Sequence, residues 1–224
     1  MMVIGHRGCP GLRPENTLEG FAHALRLGVD AVECDVHLSS DGVPAVIHDA
    51  SVDRTTPGRG AVVEFRMRDL RRLGVPDLDA VLEEVGGRAQ LLIELKAPGT
   101  AAAALKAVED HGLLDSTTFL SFDLARLERV RSLAARARTG ALFSGTEGDV
   151  VAAARACGAA VLDIGHRALD APLLAAARAA GLAVFTWTPN SEAELRAQVA
   201  LGPDGVTTDH PDRLLALLGR RPAG

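Results

Sequence analysis

Short runs rich in Val, Ile, Leu and Phe alternate along the chain with Ala/Leu/Arg stretches of helical period, and this alternation predicts a parallel sheet wrapped by helices. The predicted strands begin near Val3, Ala31, Gln90, Thr117, Thr139, Ala160, Leu182 and Gly205. The clearest predicted helices cover 17–27, 101–111, 124–134, 149–156, 171–180, 192–200 and 212–218. One further apolar run, 43–48, follows the turn Ser39-Ser40-Asp41-Gly42 too closely for a parallel crossover, so it is expected to fold back as a hairpin on the second strand. Pairing about Asp41 brings His48 across from Cys34 and Asp35. Eight parallel strands with one antiparallel return predict an α/β fold, a (β/α)8 TIM barrel, as one domain over residues 1–224. An open doubly wound sheet is the alternative, and the lack of GxGxxG or a P-loop after any strand weighs against its dinucleotide-binding form.

Composition narrows the class of partner. Aromatic residues make up 3% of the chain, with no Tyr and one Trp, and the net charge is -5, so neither a base-stacking platform nor a basic footprint for nucleic acid is present. Of 24 basic residues only Lys96 and Lys106 are lysines, leaving 22 arginines. The cysteines, Cys9, Cys34 and Cys157, are odd in number and lack CxxC spacing, which fits a reducing compartment. With no apolar run of membrane-spanning length, the protein is expected to be cytoplasmic, to lack an integral membrane segment and to act on a small molecule.

In a barrel of this kind chemistry sits at the carboxyl ends of the strands, and the polar residues collect there. The first strand ends in His6-Arg7-Gly8, the second carries Glu33 and Asp35, the hairpin ends in His48-Asp49, the third runs through Glu94 to Lys96, the fourth ends at Ser121, the seventh at Trp187 and the eighth at Asp209. Glu33 and Asp35, two apart on a strand, point to one face, and Glu94 on the neighbouring strand offers a third carboxylate. Such a cluster needs cations, and a set of three carboxylates suits Mg²⁺ or Ca²⁺ better than zinc; an ion-pair network with Arg7 and Lys96 is the alternative. His6 and His48 flank the cluster as candidate acid and base. Lys96, a rare lysine in an arginine-rich chain, makes with Arg7 a positive cradle for a phosphoryl group. Trp187 packs over a substrate or caps the core, and the other histidines, His23, His37, His111, His166 and His210, read as surface residues.

These residues also form an ordered pattern: His6-Arg7-Gly8, Pro14-Glu15-Asn16-Thr17, Glu33-Cys34-Asp35-Val36, Asp41-Gly42, Val46-Ile47-His48-Asp49, Arg54-Thr55-Thr56, Ile93-Glu94-Leu95-Lys96, Ser121-Phe122, Trp187-Thr188 with Asn190, and Thr208-Asp209 with Pro211. The chain thereby resembles the glycerophosphodiester phosphodiesterase family over almost its whole length. The resemblance implies a barrel that uses a divalent metal to hydrolyse glycerophosphodiesters to glycerol 3-phosphate and an alcohol. By position, His6 and His48 match the acid/base pair, Glu33, Asp35 and Glu94 the metal ligands, and Arg7 and Lys96 the phosphate contacts. Asn16, Ser121 and Trp187 match further pocket positions. Ser39 stands where the family usually has Thr, Pro189 and Pro203 replace other residues near the last strands, and the variable insertion, about 50–64, is short, so an open site is expected. The absence of a recognisable protein nucleophile points to attack by the substrate's own 2-hydroxyl through a 1,2-cyclic phosphate. The alternatives are a lysophospholipase D acting on longer-chain lipids and a catalytically silent barrel that binds polyol phosphates.

Overall fold

A computed structural model of the chain describes residues 1–220. The element order is β1 (Met2–Gly5), α1 (Leu18–Leu27), β2 (Ala31–Leu38), β3 (Pro44–Val46), α2 (Met67–Arg72), α3 (Leu78–Val85), β4 (Gln90–Leu95), α4 (Thr100–Asp110), β5 (Thr117–Ser121), α5 (Leu124–Leu133), β6 (Arg138–Phe143), α6 (Val150–Ala156), β7 (Val161–Gly165), α7 (Ala171–Ala179), β8 (Ala183–Trp187), α8 (Glu192–Leu201), β9 (Gly205–Thr208) and α9 (Pro211–Leu217). The strands run in the order β1-β9-β8-β7-β6-β5-β4-β2, and a β1–β2 pairing closes the ring into the expected eight-stranded parallel barrel. Beside it β3 pairs antiparallel with β2, Val36 opposite Val46, and the Ile47 amide donates to the Asp35 carbonyl at 3.0 Å.

Local chemistry explains why the connections work. Side chains of Thr17, Asp77, Asp123, Asp149, Asp170 and Ser191 accept a hydrogen bond from a free amide in the first turn of their helices. Ser39 keeps the hydroxyl that closes the β2–β3 turn: its Oγ lies 2.8 Å from Asp41 Oδ1 and accepts from the Val43 amide at 3.0 Å. Inside the barrel, Ile4, Ala31, Leu92, Leu120, Leu142, Val161 and Phe185 fill the floor. A larger apolar layer lies between strands and helices.

Two helices between β3 and β4 were not among the clearest predicted ones. With six residues α2 is too short to display a period, whereas α3 carries the full signal, an Asp77 cap followed by buried Leu78, Val81, Leu82 and Val85. The short segment around 50–64 has a Ser51–Ala61 bridge, and Val52 and Val62 join Ala45, Ile47, Met67, Leu70 and Val75 in a small apolar cluster under the hairpin.

Candidate active site

The loop after β1 starts the site. Arg7 has φ 46° and Gly8 φ 88°, and a Cβ on Gly8 would lie 2.9 Å from the Gly20 backbone at the head of α1. Glycine is therefore required there on two counts. The turn points the Arg7 amide at Glu33 Oε2, 2.9 Å away, and returns the chain to Asn16, whose amide donates to the Arg7 carbonyl at 2.9 Å.

Glu33, Asp35 and Glu94 meet as their strand positions imply, with Asp35 in register with Glu94 and one oxygen of each carboxylate within 4.8 Å of the others. Asp35 is fully buried. It accepts from Asn16 Nδ2 at 2.9 Å, and Arg7 Nε and Lys96 Nζ lie 3.3 and 3.6 Å away. Burial opposes its charge, yet Arg7, Lys96 and His48 hold it below the usual carboxylate range. The other two carboxyls go the opposite way. Burial and the charges of Asp35 and Glu94 push Glu33 well above its ordinary value. Burial and Asp35 push Glu94 up to about 7 although Lys96 Nζ sits 2.9 Å from its Oε1. The ion pairs with Arg7 and Lys96 thus exist but leave the cluster short of positive charge, and Asp35 Oδ1 is buried without a hydrogen-bond partner. An all-oxygen donor set with an orphaned carboxylate oxygen fits a hard divalent cation.

Both histidines face the cavity beside this cluster, and each has a carboxylate behind it. His6 Nδ1 lies 2.6 Å from Asp209 Oδ1, and Asn190 Nδ2 holds the other Asp209 oxygen at 2.6 Å. His48 Nδ1 lies 2.7 Å from Asp49 Oδ1. An ionised carboxylate only accepts, so Nδ1 carries the hydrogen in each ring and Nε2 is left for a ligand. Arg54 grips Asp49 at 2.7 and 3.1 Å and Glu15 at 2.7 Å through two nitrogens, while Glu15 also takes Arg7 Nη1 at 3.0 Å. One chain of charges therefore joins the two histidine loops through the short insertion. His37, expected on the surface, is half-buried and its Nε2 donates to the His48 carbonyl at 3.1 Å. His166 is also half-buried, its Nδ1 3.2 Å from the Trp187 carbonyl and its Nε2 3.3 Å from Glu194.

Two expected pocket residues do not line the cavity shared by the two histidines. Ser121 is fully buried, its hydroxyl donating to the Leu95 carbonyl at 3.1 Å and accepting from the Asp123 amide at 3.1 Å, so it ties β5 to its neighbour and does not line the cavity. Asn16 sits behind Asp35 and orients it. Trp187 does line the cavity, edge-on to the half-exposed Phe122 with ring centroids 5.6 Å apart. The cavity, about 230 Å³, reaches down to Asp163, a buried carboxyl that sequence reasoning missed and that burial raises to about 8.

A model of the glycerophosphoryl diester phosphodiesterase family matches residues 6–213. The chain belongs to this family. A family relative from Caldanaerobacter subterraneus, named glycerophosphodiester phosphodiesterase, is 30% identical, with 97% of each chain covered. Among solved structures, a phosphodiesterase from Oleispira antarctica in complex with the product sn-glycerol-3-phosphate superposes with a TM-score of 0.91 at 27% identity, covering 98% of this chain and 97% of that one. A glycerophosphodiester phosphodiesterase from Agrobacterium tumefaciens gives 0.85 at 30% identity, covering 96% and 99%. Among the described residues of this family member, no helix is long and apolar enough to cross a membrane.

Proposed function

We propose that the chain, one catalytic unit over residues 1–224, hydrolyses glycerophosphodiesters to glycerol 3-phosphate and an alcohol, with His6 and His48 exchanging protons and Glu33, Asp35 and Glu94 holding Mg²⁺ or Ca²⁺. The observation that carries this reading is the pairing of two histidines, each fixed at Nδ1 by its own aspartate, around one under-neutralised carboxylate cluster. Arg7 and Lys96, half-buried beside that cluster, hold the remaining phosphoryl oxygens. A cation bound to the three carboxylates would offset charge on the phosphoryl group and lower the pKa of a hydroxyl beside it.

Among the described residues no Ser, Cys or Thr side chain is hydrogen-bonded to either histidine, whose Nδ1 partners are Asp209 and Asp49, so the nucleophile comes from the substrate. One histidine takes the proton of the glycerol 2-hydroxyl as its oxygen attacks phosphorus, and the other protonates the departing alcohol oxygen. Water then opens the 1,2-cyclic phosphate with the two roles reversed. Intramolecular ring closure has effective molarities that reach about 10⁵ to 10⁸ M, which a bound water does not match. Trp187 walls the mouth, and Phe122 is the one exposed large apolar side chain lining the cavity among the described residues, which favours small head-group alcohols over lysolipids.

The test is release of glycerol 3-phosphate from a panel of diesters, including glycerophosphocholine and a lysophospholipid, with each metal, together with a diester whose 2-hydroxyl is replaced by hydrogen. The expected outcome is turnover of the small diesters, and binding of the deoxy diester with turnover at least about a hundredfold slower. Equal rates for deoxy and natural diesters overturn the substrate-assisted route. Turnover of the lysolipid alone moves the substrate class to lysophospholipids, and no turnover of any diester leaves a binding barrel.

A further inference from the structure

The two sides of the cavity differ in kind. Its charged groups, His6, Arg7, Glu33, His48, Glu94 and Lys96, come from β1, β2, the hairpin and β4. The opposite arc carries Asp163 on β7, Trp187 on β8 and Thr207 on β9. In the ring order β7 stands four strands from β2 whichever way it is counted, so Asp163 faces the carboxylate cluster across the barrel.

Asp163 is 1% exposed, set between Leu142 on β6 and Phe185 on β8, and its Oδ1 has no hydrogen-bond partner. Thr207 is 3% exposed and its Oγ1 is likewise unpartnered, as is Trp187 Nε1. Three neighbouring strands therefore each bring an unfilled polar atom to one cavity. Leaving a buried polar atom unmet costs stability, which an apolar side chain at each position would avoid. These atoms are arranged for a partner that arrives with the ligand.

Substrate anatomy identifies that partner. The phosphoryl group belongs to the charged arc. The alcohol differs between substrates and needs the open mouth, whereas the glycerol end is the same in all of them and suits the enclosed end. Glycerol carries, besides the hydroxyl next to the ester, one terminal hydroxyl, which both donates and accepts. We propose that Asp163 and Thr207 form the subsite for this terminal hydroxyl and set the preference for glycerol esters over propanediol esters. The proposal rests on the phosphodiesterase reading and adds two specificity residues to it. A carboxyl oxygen accepts the hydroxyl's hydrogen, the threonine hydroxyl completes the pair, and Leu142 and Phe185 keep competing water away.

The experiment compares kcat/KM for glycerophosphocholine with that for the matched propane-1,2-diol diester, which lacks only the terminal hydroxyl and retains the one beside the ester. Wild-type protein is expected to favour the glycerol diester by at least about tenfold, since a site built to bond a hydroxyl discriminates strongly against its loss. In Asp163→Leu the glycerol diester should fall by about that factor and the propanediol diester stay within about twofold, so the preference collapses. Thr207→Val, close in volume, should lower the glycerol diester selectively as well and serves if Asp163→Leu does not fold. Calorimetric binding of glycerol 3-phosphate against propanediol phosphate should show the same pattern without turnover. Equal wild-type kcat/KM and equal binding for the pair overturn the subsite, as does a variant that lowers both diesters alike. If wild type turns over no diester, the phosphodiesterase reading fails, while the binding comparison still decides the subsite.

Discussion

The carboxylate cluster makes a quantitative prediction about stability without metal. Glu94 titrates near 7 in the folded protein against 4.5 when solvated, and its side chain is 13% exposed. Between those two values the unfolded chain has given up the Glu94 proton and the native protein has kept it, so the native state binds more protons and stability falls as pH rises. At about 1.4 kcal/mol per pH unit, the loss is about 3 kcal/mol, complete above pH 7 and absent below 4.5. Glu33 is shifted in the same direction and adds to it, whereas the stabilising contribution of Asp35 is lost only as pH falls below 3.8. His37 acts oppositely, because burial lowers its pKa from 6.5 and so favours the native state as pH rises, and for that reason the comparison must be with a variant. The assay is thermal unfolding of chelator-treated wild type and Glu94→Gln from pH 4.5 to 8. At about 2–4 °C per kcal/mol for a chain of this size, Glu94→Gln should melt about 6–12 °C higher at pH 7.5 and level with wild type at pH 4.5. Adding Mg²⁺ or Ca²⁺ should raise wild type at pH 7.5, increasingly with concentration, and do little for the variant. Parallel pH profiles for the two proteins, with Glu94→Gln the less stable throughout, would mean that Arg7 and Lys96 already satisfy the cluster and that no cation is needed.

The remaining predictions concern the histidines. Loss of a positioned acid or base costs about 10²- to 10⁴-fold, so His6→Ala and His48→Ala should each lose at least about a hundredfold in kcat, and the double variant less than the product; near-native kcat in His48→Ala refutes its role. Asp209→Asn keeps the shape but presents an amide to His6 Nδ1, so it should lower kcat by orders of magnitude with KM and melting temperature little changed, and a purely structural role would move the melting temperature instead.

The backbone plan was legible because its signals are local. Strand starts read at Ala31, Gln90, Thr117 and Gly205 coincide with the observed ones, and the turn about Asp41 sets the Val36–Val46 pairing. The triad was legible for the same reason, since period-two alternation puts Glu33 and Asp35 on one face and parallel register adds Glu94. Orientation of the histidines was not. Asp209 reaches His6 across 203 residues, a contact made only when β9 closes on β1. Ser121 misled because a strand-end serine near a mouth reads alike whether its hydroxyl faces ligand or backbone, and only the Leu95 carbonyl distinguishes the two. His37 was read as outward, although alternation from Glu33 and Asp35 puts it on their face, where it holds the His48 turn. Asp163 gave no signal, as a lone acid in a strand is marked only by the partner it lacks.

The closed ring divides its labour unequally along the chain. His6, His48, the clustered carboxylates Glu33, Asp35 and Glu94, and the cations Arg7 and Lys96 all lie between His6 and Lys96, on β1, β2, the hairpin and β4 and the loops that follow them. The wall that faces them, Asp163, Trp187 and Thr207, comes from β7 to β9. On the proposed reading, reaction and selectivity are thus written in separate stretches of polypeptide, spliced near Lys96 and stitched again where β9 meets β1. A recombined chain that joins residues 1–96 of this protein to the later portion of another barrel with the same closure would inherit its chemistry from one parent and its choice of substrate from the other. Asp209 is the stitch that must travel with the donor half, because without it His6 arrives in the new barrel with no group to hold its ring.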